Sequence, residues 1–482
     1  MLFNSIDFAI FLPIVFFLYW FVTNNSLKKQ NILILVASYL FYGWWDWRFL
    51  FLLIFSTLLD YFTGLKMQDA ETKAKKRFWF WLSICVNLGF LGVFKYYNFF
   101  AESFAEALSQ VGVTVQPWTL KVILPVGISF YTFHGLSYVI DIYKDRIKAE
   151  RDFVVYSVFV SFFPLLVAGP IERATHLLPQ IKVKRTFNYT MAIDGLRQIL
   201  WGLVKKVVIA DNCAVFANDI FSHSADYNGS TLLLGALFFA FQIYGDFSGY
   251  SDIALGTAKL FGIELLRNFS FPYFSRDIAE FWRRWHISLS TWFRDYLYIP
   301  LGGSRGGMWM KIRNTFIIFL VSGFWHGANW TFIIWGALNA LYFLPLLVTS
   351  NNRNNLDSIA QGRLFPSLRE FSGMMVTFLL TLLAWIFFRA NNLSHAFEYL
   401  SGIFSPSLFE WPVFENSGTA ITIGIMVFIF IIIEWLGREK PYPLAHLEHY
   451  LPKAARWAVY IILFMAVATF MGEDNTFIYF QF

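Results

Sequence analysis

Two histidines stand in tryptophan-rich apolar sequence, where a titratable ring is least expected. His286 lies in FWRRWHISLSTWFRDYLYIPLGGSRGG (281–307) and His326 in NTFIIFLVSGFWHGANW (314–330). Imidazole titrates near neutral pH, so it is well suited to moving a proton during catalysis. Placing it in hydrocarbon demands compensating partners, which makes each ring a functional candidate. The chemistry to expect is general acid–base assistance to a transfer reaction. The bland alternative for either ring is a structural hydrogen bond to a neighbouring helix.

The spacing around each ring sets expectations for its surroundings. Ser322, His326 and Asn329 recur at i, i+4 and i+7, one polar stripe on a helix, with Trp325 in the same supporting group. From Thr315 to His326 is roughly 16 Å of helix, about half of a ~30 Å hydrocarbon core. Apolar sequence continues through 331–348, so His326 is expected near mid-membrane. Gly323 and Gly327 form a small-xxx-small pair that admits a close helix neighbour. Read as one helix, 281–297 gathers Trp282, Trp285, Leu289, Trp292, Phe293 and Tyr296 on one face. Arg284, Ser288, Thr291 and Asp295 take the other, and His286 falls at the aromatic rim beside Arg283 and Arg284, shielded but not enclosed.

Three further stretches carry groups of interest. Asp246 and Asp252 sit in YGDFSGYSDIALG (244–256). Their spacing puts them roughly 240° apart on a helix, so they make no carboxylate dyad. They are expected to hold basic groups, Arg283 or Arg284, while Gly245 and Gly249 suggest an irregular backbone lining a cavity. The link LGGSRGGMWMKIRN (301–314) combines flexible glycines with Arg305, Lys311 and Arg313, a pattern able to bind phosphate but equally a solvated loop. The chain ends FIYFQF (477–482), whose aromatics would serve as an interfacial anchor.

The segments LPVGISFYTFHGLSYVIDIY (124–143), FPLLVAGPIER (163–173), 244–256, 280–307 and FWHGANW (324–330) together resemble the membrane-bound O-acyltransferases. The likeness is greatest to the bacterial branch that acetylates polysaccharides such as alginate and peptidoglycan. It implies an all-α polytopic membrane protein, the MBOAT fold of about 10–13 membrane helices plus re-entrant or interfacial helices around a central tunnel. It makes His326 the principal catalytic residue, with His286 lining the same site. It implies acetyl-CoA as donor, no metal, and Tyr479 as an acyl carrier that hands acetyl to a secreted SGNH-type partner acting on the polysaccharide. Arg305, Lys311 and Arg313 would then meet the donor's phosphates. Oxyanion stabilisation is expected from His286, Asn329 or backbone amides.

Composition and charge set the frame that must position these groups. Of 482 residues, 57% are hydrophobic, 21% aromatic and only 15% charged, against about 25% charged in soluble chains. The chain is therefore expected to cross a bilayer many times, and the resemblance implies that this bilayer is the inner membrane of a bacterium. The net charge of +6 reads as cytoplasmic loop bias and not as a nucleic-acid surface. Cys85 and Cys213, alone in apolar contexts, offer neither a disulfide framework nor a metal-thiolate spacing.

Apolar runs at 8–22, 32–45, 49–65, 78–94, 371–388, 419–435 and 457–471 read as spans, the first retained because no cleavage signal accompanies it. Lys28 and Lys29, then Lys73, Lys75, Lys76 and Arg77, place the first and third loops in the cytoplasm and the N-terminus outside. Residues 98–112 are amphipathic and expected at the surface. His134 and His176 are expected to be structural, and His223, His395, His446 and His449 solvated. The whole reads as one domain, 1–482, with N-terminal helices (1–115), a catalytic core (120–345), C-terminal helices (370–471) and an aromatic tail (472–482). Two other classes stay open. A transporter or channel would also bury ionisable groups, although the internal repeat it predicts is not visible. An acyltransferase for a lipid or protein would share the histidines but not the tail.

Overall fold

In hydrocarbon every backbone N–H and C=O must be satisfied within its own segment, so long apolar runs become helices. The computed structural model of the protein describes residues 1–120, 125–166, 169–472 and 477–478, and among them there is no strand. Seven helical stretches among the described residues are long and apolar enough to cross a membrane. The chain divides into two compact units, Met1–Ala192 with Ala258–Leu266, and Ile193–Thr257 with Arg267–Phe482. The boundary runs through the 120–345 stretch.

Unit one holds α1 (Ile6–Phe17), α2 (Leu27–Gly43), α3 (Arg48–Gln68), α4 (Lys73–Leu91), α5 (Tyr97–Gln110), α6 (Ile128–Tyr143), α7 (Phe153–Ser161), the short α8 (Phe163–Leu166) and α9 (Ala174–Lys182). Helices α3, α4 and α6 pack against one another. Asp60 of α3 is buried at their centre, accepting from Ser83 Oγ (2.6 Å) and Asn87 Nδ2 (2.8 Å) of α4. A carboxyl group in a membrane helix persists only with such donors. His134 is structural: its Nε2 accepts from the Glu172 backbone N–H at 3.1 Å. Glu172 also pairs with His176 on α9 (2.8 Å) and accepts from Leu266 N. That pairing raises the pKa of the half-exposed His176.

Unit two takes most of α10 (Tyr189–Leu203), which runs through a π-helical turn (Val204–Ala210) into α11 (Asp211–Ser222). It continues with α12 (Gly229–Leu260), α13 (Ile278–Arg284), α14 (Ile287–Phe293), α15 (Met308–His326) and α16 (Trp330–Val348). Helices α17 (Leu368–Arg389), α18 (Leu393–Ile403), α19 (Ser417–Gly437) and α20 (Lys453–Phe470) complete it.

The backbone around Gly245 and Gly249 is a regular part of α12, contrary to the irregular stretch the glycines suggested. Their purpose is contact. A Cβ on Gly249 would stand 2.7 Å from the Gly202 carbonyl oxygen, and one on Gly202 would stand 2.6 Å from that of Gly249. The irregular element is the facing π turn, which carries Lys205 and Lys206. Such turns often accompany functional sites.

Candidate active site

The site is built on two chain reversals. In the first, the single helix expected over 281–297 breaks: α13 ends at Arg284, and His286 takes left-handed backbone angles (φ 43°) before α14 begins. No glycine or proline marks this break. The segment 268–270 makes it tolerable, because Ser270 N donates to Arg284 O and Ile287 N to Asn268 O, each at 2.9 Å. Backbone groups released by the break are thus satisfied locally. A side chain other than glycine held at positive φ carries a conformational cost that the surroundings must sustain.

The break drives His286 inward to 0% exposure, where a rim position was expected. Its Nδ1 lies 3.1 Å from Asn268 Oδ1. That same oxygen accepts from Ser288 N (3.3 Å) and Ser288 Oγ (2.9 Å), while Asn268 Nδ2 donates to Ser251 Oγ (3.1 Å). The backbone N–H of Ser288 can only donate, so the amide orientation is determined and Nδ1 of the neutral ring carries the proton. Nε2 is left as an acceptor, with no hydrogen-bond partner among the described residues. A neutral ring in this tautomer offers a ligand at Nε2 a lone pair and not an N–H.

The second reversal ends α15 at His326 itself. Gly327 is extended (φ −161°, ψ 154°), and Asn329 caps α16 by accepting from Thr331 N at 3.0 Å. The apolar residues after His326 are therefore a second helix folding back and not the remainder of one span, so the mid-span argument does not hold. Gly323 and Gly336 let the two helices touch, because added Cβ atoms would come within 2.2 Å of Phe332 O and 2.3 Å of Phe319 O respectively. These contacts define an antiparallel hairpin. The polar stripe ends with the helix: Ser322 stays buried one turn before His326, whereas Asn329 lies beyond the turn. Its Nδ2 donates one hydrogen bond to Asn391 O at 2.8 Å.

The imidazole of His326 is 4% exposed and meets the rings of Trp335 (5.0 Å between centroids) and Phe388 (5.2 Å). The indole of Trp325 contacts both imidazoles, at 4.8 Å from His326 and 6.0 Å from His286. The two histidines, forty residues apart in sequence, thus flank one aromatic side chain.

The charged groups pair differently from expectation. Arg284 binds Glu280 (2.8 Å), and Arg283 donates to the carbonyls of Asn352 and Asn355. Both arginines fasten the chain around α13. Asp246 and Asp252 instead hold the lysines of the π turn. Lys206 Nζ lies 2.8 Å from both Asp246 and Asp211, and Lys205 Nζ lies 3.0 Å from Asp252 and 3.4 Å from Glu434. Buried ions persist only in such company. A signal was present in the sequence: adjacent lysines in an apolar run need carboxylates, and Asp246, Asp252 and Glu434 occupy other apolar runs. Asn268 had no comparable signal.

Arg305 and Arg313 are exposed and Lys311 is half-buried. Asn314, fully buried, pins the preceding loop through the carbonyls of Leu301 (3.3 Å) and Gly303 (3.1 Å). Arg305 thereby sits on a fixed turn, while Lys311 and Arg313 project from the first two turns of α15. One cluster of metal-binding type, His446, Glu448 and His449, lies exposed among the described residues, with Glu448 engaged by Arg197 at 2.8 Å.

Tyr479 lies outside the described residues, but the two residues before it do not. Phe477 and Ile478 are 0% and 1% exposed, so at these positions the tail is interior and not interfacial. The Phe477 ring packs on Tyr250 (4.4 Å) and Phe247 (6.1 Å), and Phe247 stands edge-on to His286 at 4.6 Å.

The model of the MBOAT, membrane-bound O-acyltransferase family, matches residues 143–384, which include both histidines. The chain is 38% identical over 460 residues to the probable alginate O-acetylase AlgI of Pseudomonas aeruginosa, covering 94% of this chain and 85% of that protein. It is 40% identical over 449 residues to the protein of the same description from Pseudomonas putida (92% and 88% covered). It is 37% identical over 433 residues to a peptidoglycan O-acetyltransferase of Helicobacter pylori (84% and 80% covered).

Proposed function

This chain belongs to the membrane-bound O-acyltransferase family, and from that premise we propose that it moves acetyl from cytoplasmic acetyl-CoA across a bacterial inner membrane. The acetyl group is destined for an extracytoplasmic polysaccharide, an alginate-like polymer or peptidoglycan, the acceptors in the names of its relatives. Tyr479 carries the acyl group, and a secreted SGNH-type partner delivers it to the sugar.

The donor's phosphates meet Arg305, Lys311 and Arg313, and its thioester lies beside His326. His326 takes the phenolic proton of Tyr479 as the phenol oxygen adds to the thioester carbonyl. The C–S bond then breaks, and the thiolate leaves as coenzyme A with the proton from His326. General-base assistance of this kind contributes ~10²–10⁴-fold. The product is an acetyl ester of tyrosine, activated enough for attack by a serine. That serine's proton returns to the phenol as the acetyl group passes to the partner. His286 accepts a hydrogen bond at Nε2 and orients the phenol. Asp246, Asp252, Ser322 and Trp325 act on the site as supports.

The observation that carries this reading is the aromatic path Phe477–Phe247–His286–Trp325–His326, which joins the tail to both imidazoles. The test is acetyl analysis of the cell's polysaccharides by mass spectrometry in a deletion strain complemented with His326→Ala. Acetylation should vanish while the variant remains folded in the membrane. Normal acetylation would refute the assignment.

A further inference from the structure

We propose that Asp246 is a positioning residue that latches the C-terminal tail beside His286 through the backbone N–H of Ile478. The inference rests on Tyr479 as the carrier and adds what holds that carrier at the site.

Asp246 is 3% exposed on α12. One carboxylate oxygen lies 2.8 Å from Lys206 Nζ, and the other accepts from Ile478 N at 2.6 Å. Lys206 serves a second carboxylate, Asp211. One cation therefore faces two anions in a buried setting. An ionised pair there needs further hydrogen bonds to offset lost hydration, and the tail amide supplies one to Asp246. Hydrogen bonds to ionised groups are also the stronger kind.

The placement of the latch is what links it to transfer. Phe247, next in sequence to Asp246, contacts both His286 and Phe477. Tyr250, one helical turn from Asp246, packs its ring at a tilt against Phe477, 4.4 Å between centroids. Helix α12 thus presents a carboxylate for the tail backbone and two rings for the tail side chain. Ile478 is joined directly to Tyr479, and consecutive Cα atoms are ~3.8 Å apart. Fixing the amide of residue 478 limits where the phenol of residue 479 can travel.

The test uses full-length protein in detergent with three variants. Asp246→Ala removes the acceptor, Ile478→Pro removes the donor, and Ile478→Val keeps it. Two quantities are read: the rate at which a carboxypeptidase removes residues 480–482, by intact mass, and acetylation of Tyr479 from isotope-labelled acetyl-CoA, by peptide mass spectrometry. Asp246→Ala and Ile478→Pro should be trimmed about 10-fold faster or more, the scale of a lost hydrogen bond to a charged group. Tyr479 acetylation should fall by a similar factor, and Ile478→Val should match wild type in both. If Asp246→Ala does not fold, the two Ile478 variants decide, because they leave α12 untouched. Wild-type trimming and acetylation in Ile478→Pro would overturn the latch. Failure of the carrier reading gives a different result: Tyr479→Phe would support full polymer acetylation while Asp246→Ala still loosened the tail. That outcome would overturn the catalytic purpose of the latch.

Discussion

Asn268 decides which nitrogen of His286 carries the proton. Its Oδ1 collects donors from Ser288 as well as from the imidazole Nδ1, so the amide cannot turn over and the ring cannot change tautomer without losing a bond. The arrangement is that of an acceptor nitrogen, Nε2, aimed by an orienting group on the far side of the ring and reached through a backbone break that buries the imidazole.

Replacing Asn268 by Ala should therefore lower kcat by about 10-fold or more with little change in KM for the acyl donor, since the phenol that His286 orients loses its fixed approach, and misplacing a reacting group can cost ~10²-fold. Steady-state release of coenzyme A measures both constants. An unchanged kcat would reduce Asn268 to a packing residue.

Lys205 compensates Asp252 and Glu434 at 5% side-chain exposure. Lys205→Met leaves both carboxylates without their shared cation, and removing one member of a buried ion pair typically costs about 3–5 kcal/mol. The thermal midpoint in detergent should drop, and Glu434→Gln in the same chain should restore part of the loss. A single variant as stable as wild type would contradict this.

The hairpin that carries His326 depends on bare backbone at Gly323 and Gly336. Gly323→Val should destabilise by about 1–3 kcal/mol, the usual scale of overpacking, and disturb acyl transfer as well, because the helix end bearing the imidazole must shift. Thermal unfolding and activity, measured together, should fall together.

The Glu172–His176 pair predicts a pH dependence. Hydrogen bonding to Glu172 raises the His176 pKa in the folded protein, so the folded state binds the proton more tightly than the unfolded one. The stabilisation is complete below the ordinary histidine value of ~6.5 and disappears as pH rises through the raised value. The difference in thermal midpoint between wild type and His176→Gln should shrink from pH 5.5 to pH 8.5, values chosen to bracket ~6.5. A constant difference would remove the pair from the pH response.

Residue types and their order were sufficient to read an all-helical membrane protein and its later spans, and they singled out the two histidines that the fold sets on either side of Trp325. Hydropathy and helical periodicity are local properties, and they survive folding. The runs 371–388, 419–435 and 457–471 correspond to Leu368–Arg389, Ser417–Gly437 and Lys453–Phe470. What failed was every inference that assumed a helix continues until a glycine or proline stops it. The break at His286 is sustained by the segment 268–270, and the turn after His326 by the cap at Asn329 and by glycine contacts within the hairpin. Partner choice was equally beyond the sequence. Asp246 could have met any cation, and only the packing of the π turn against α12 assigns it Lys206. Periodicity says which way a side chain points from its own helix; which distant backbone relieves a break, or which lysine reaches a buried carboxylate, depends on contacts between segments and exists only once they have packed.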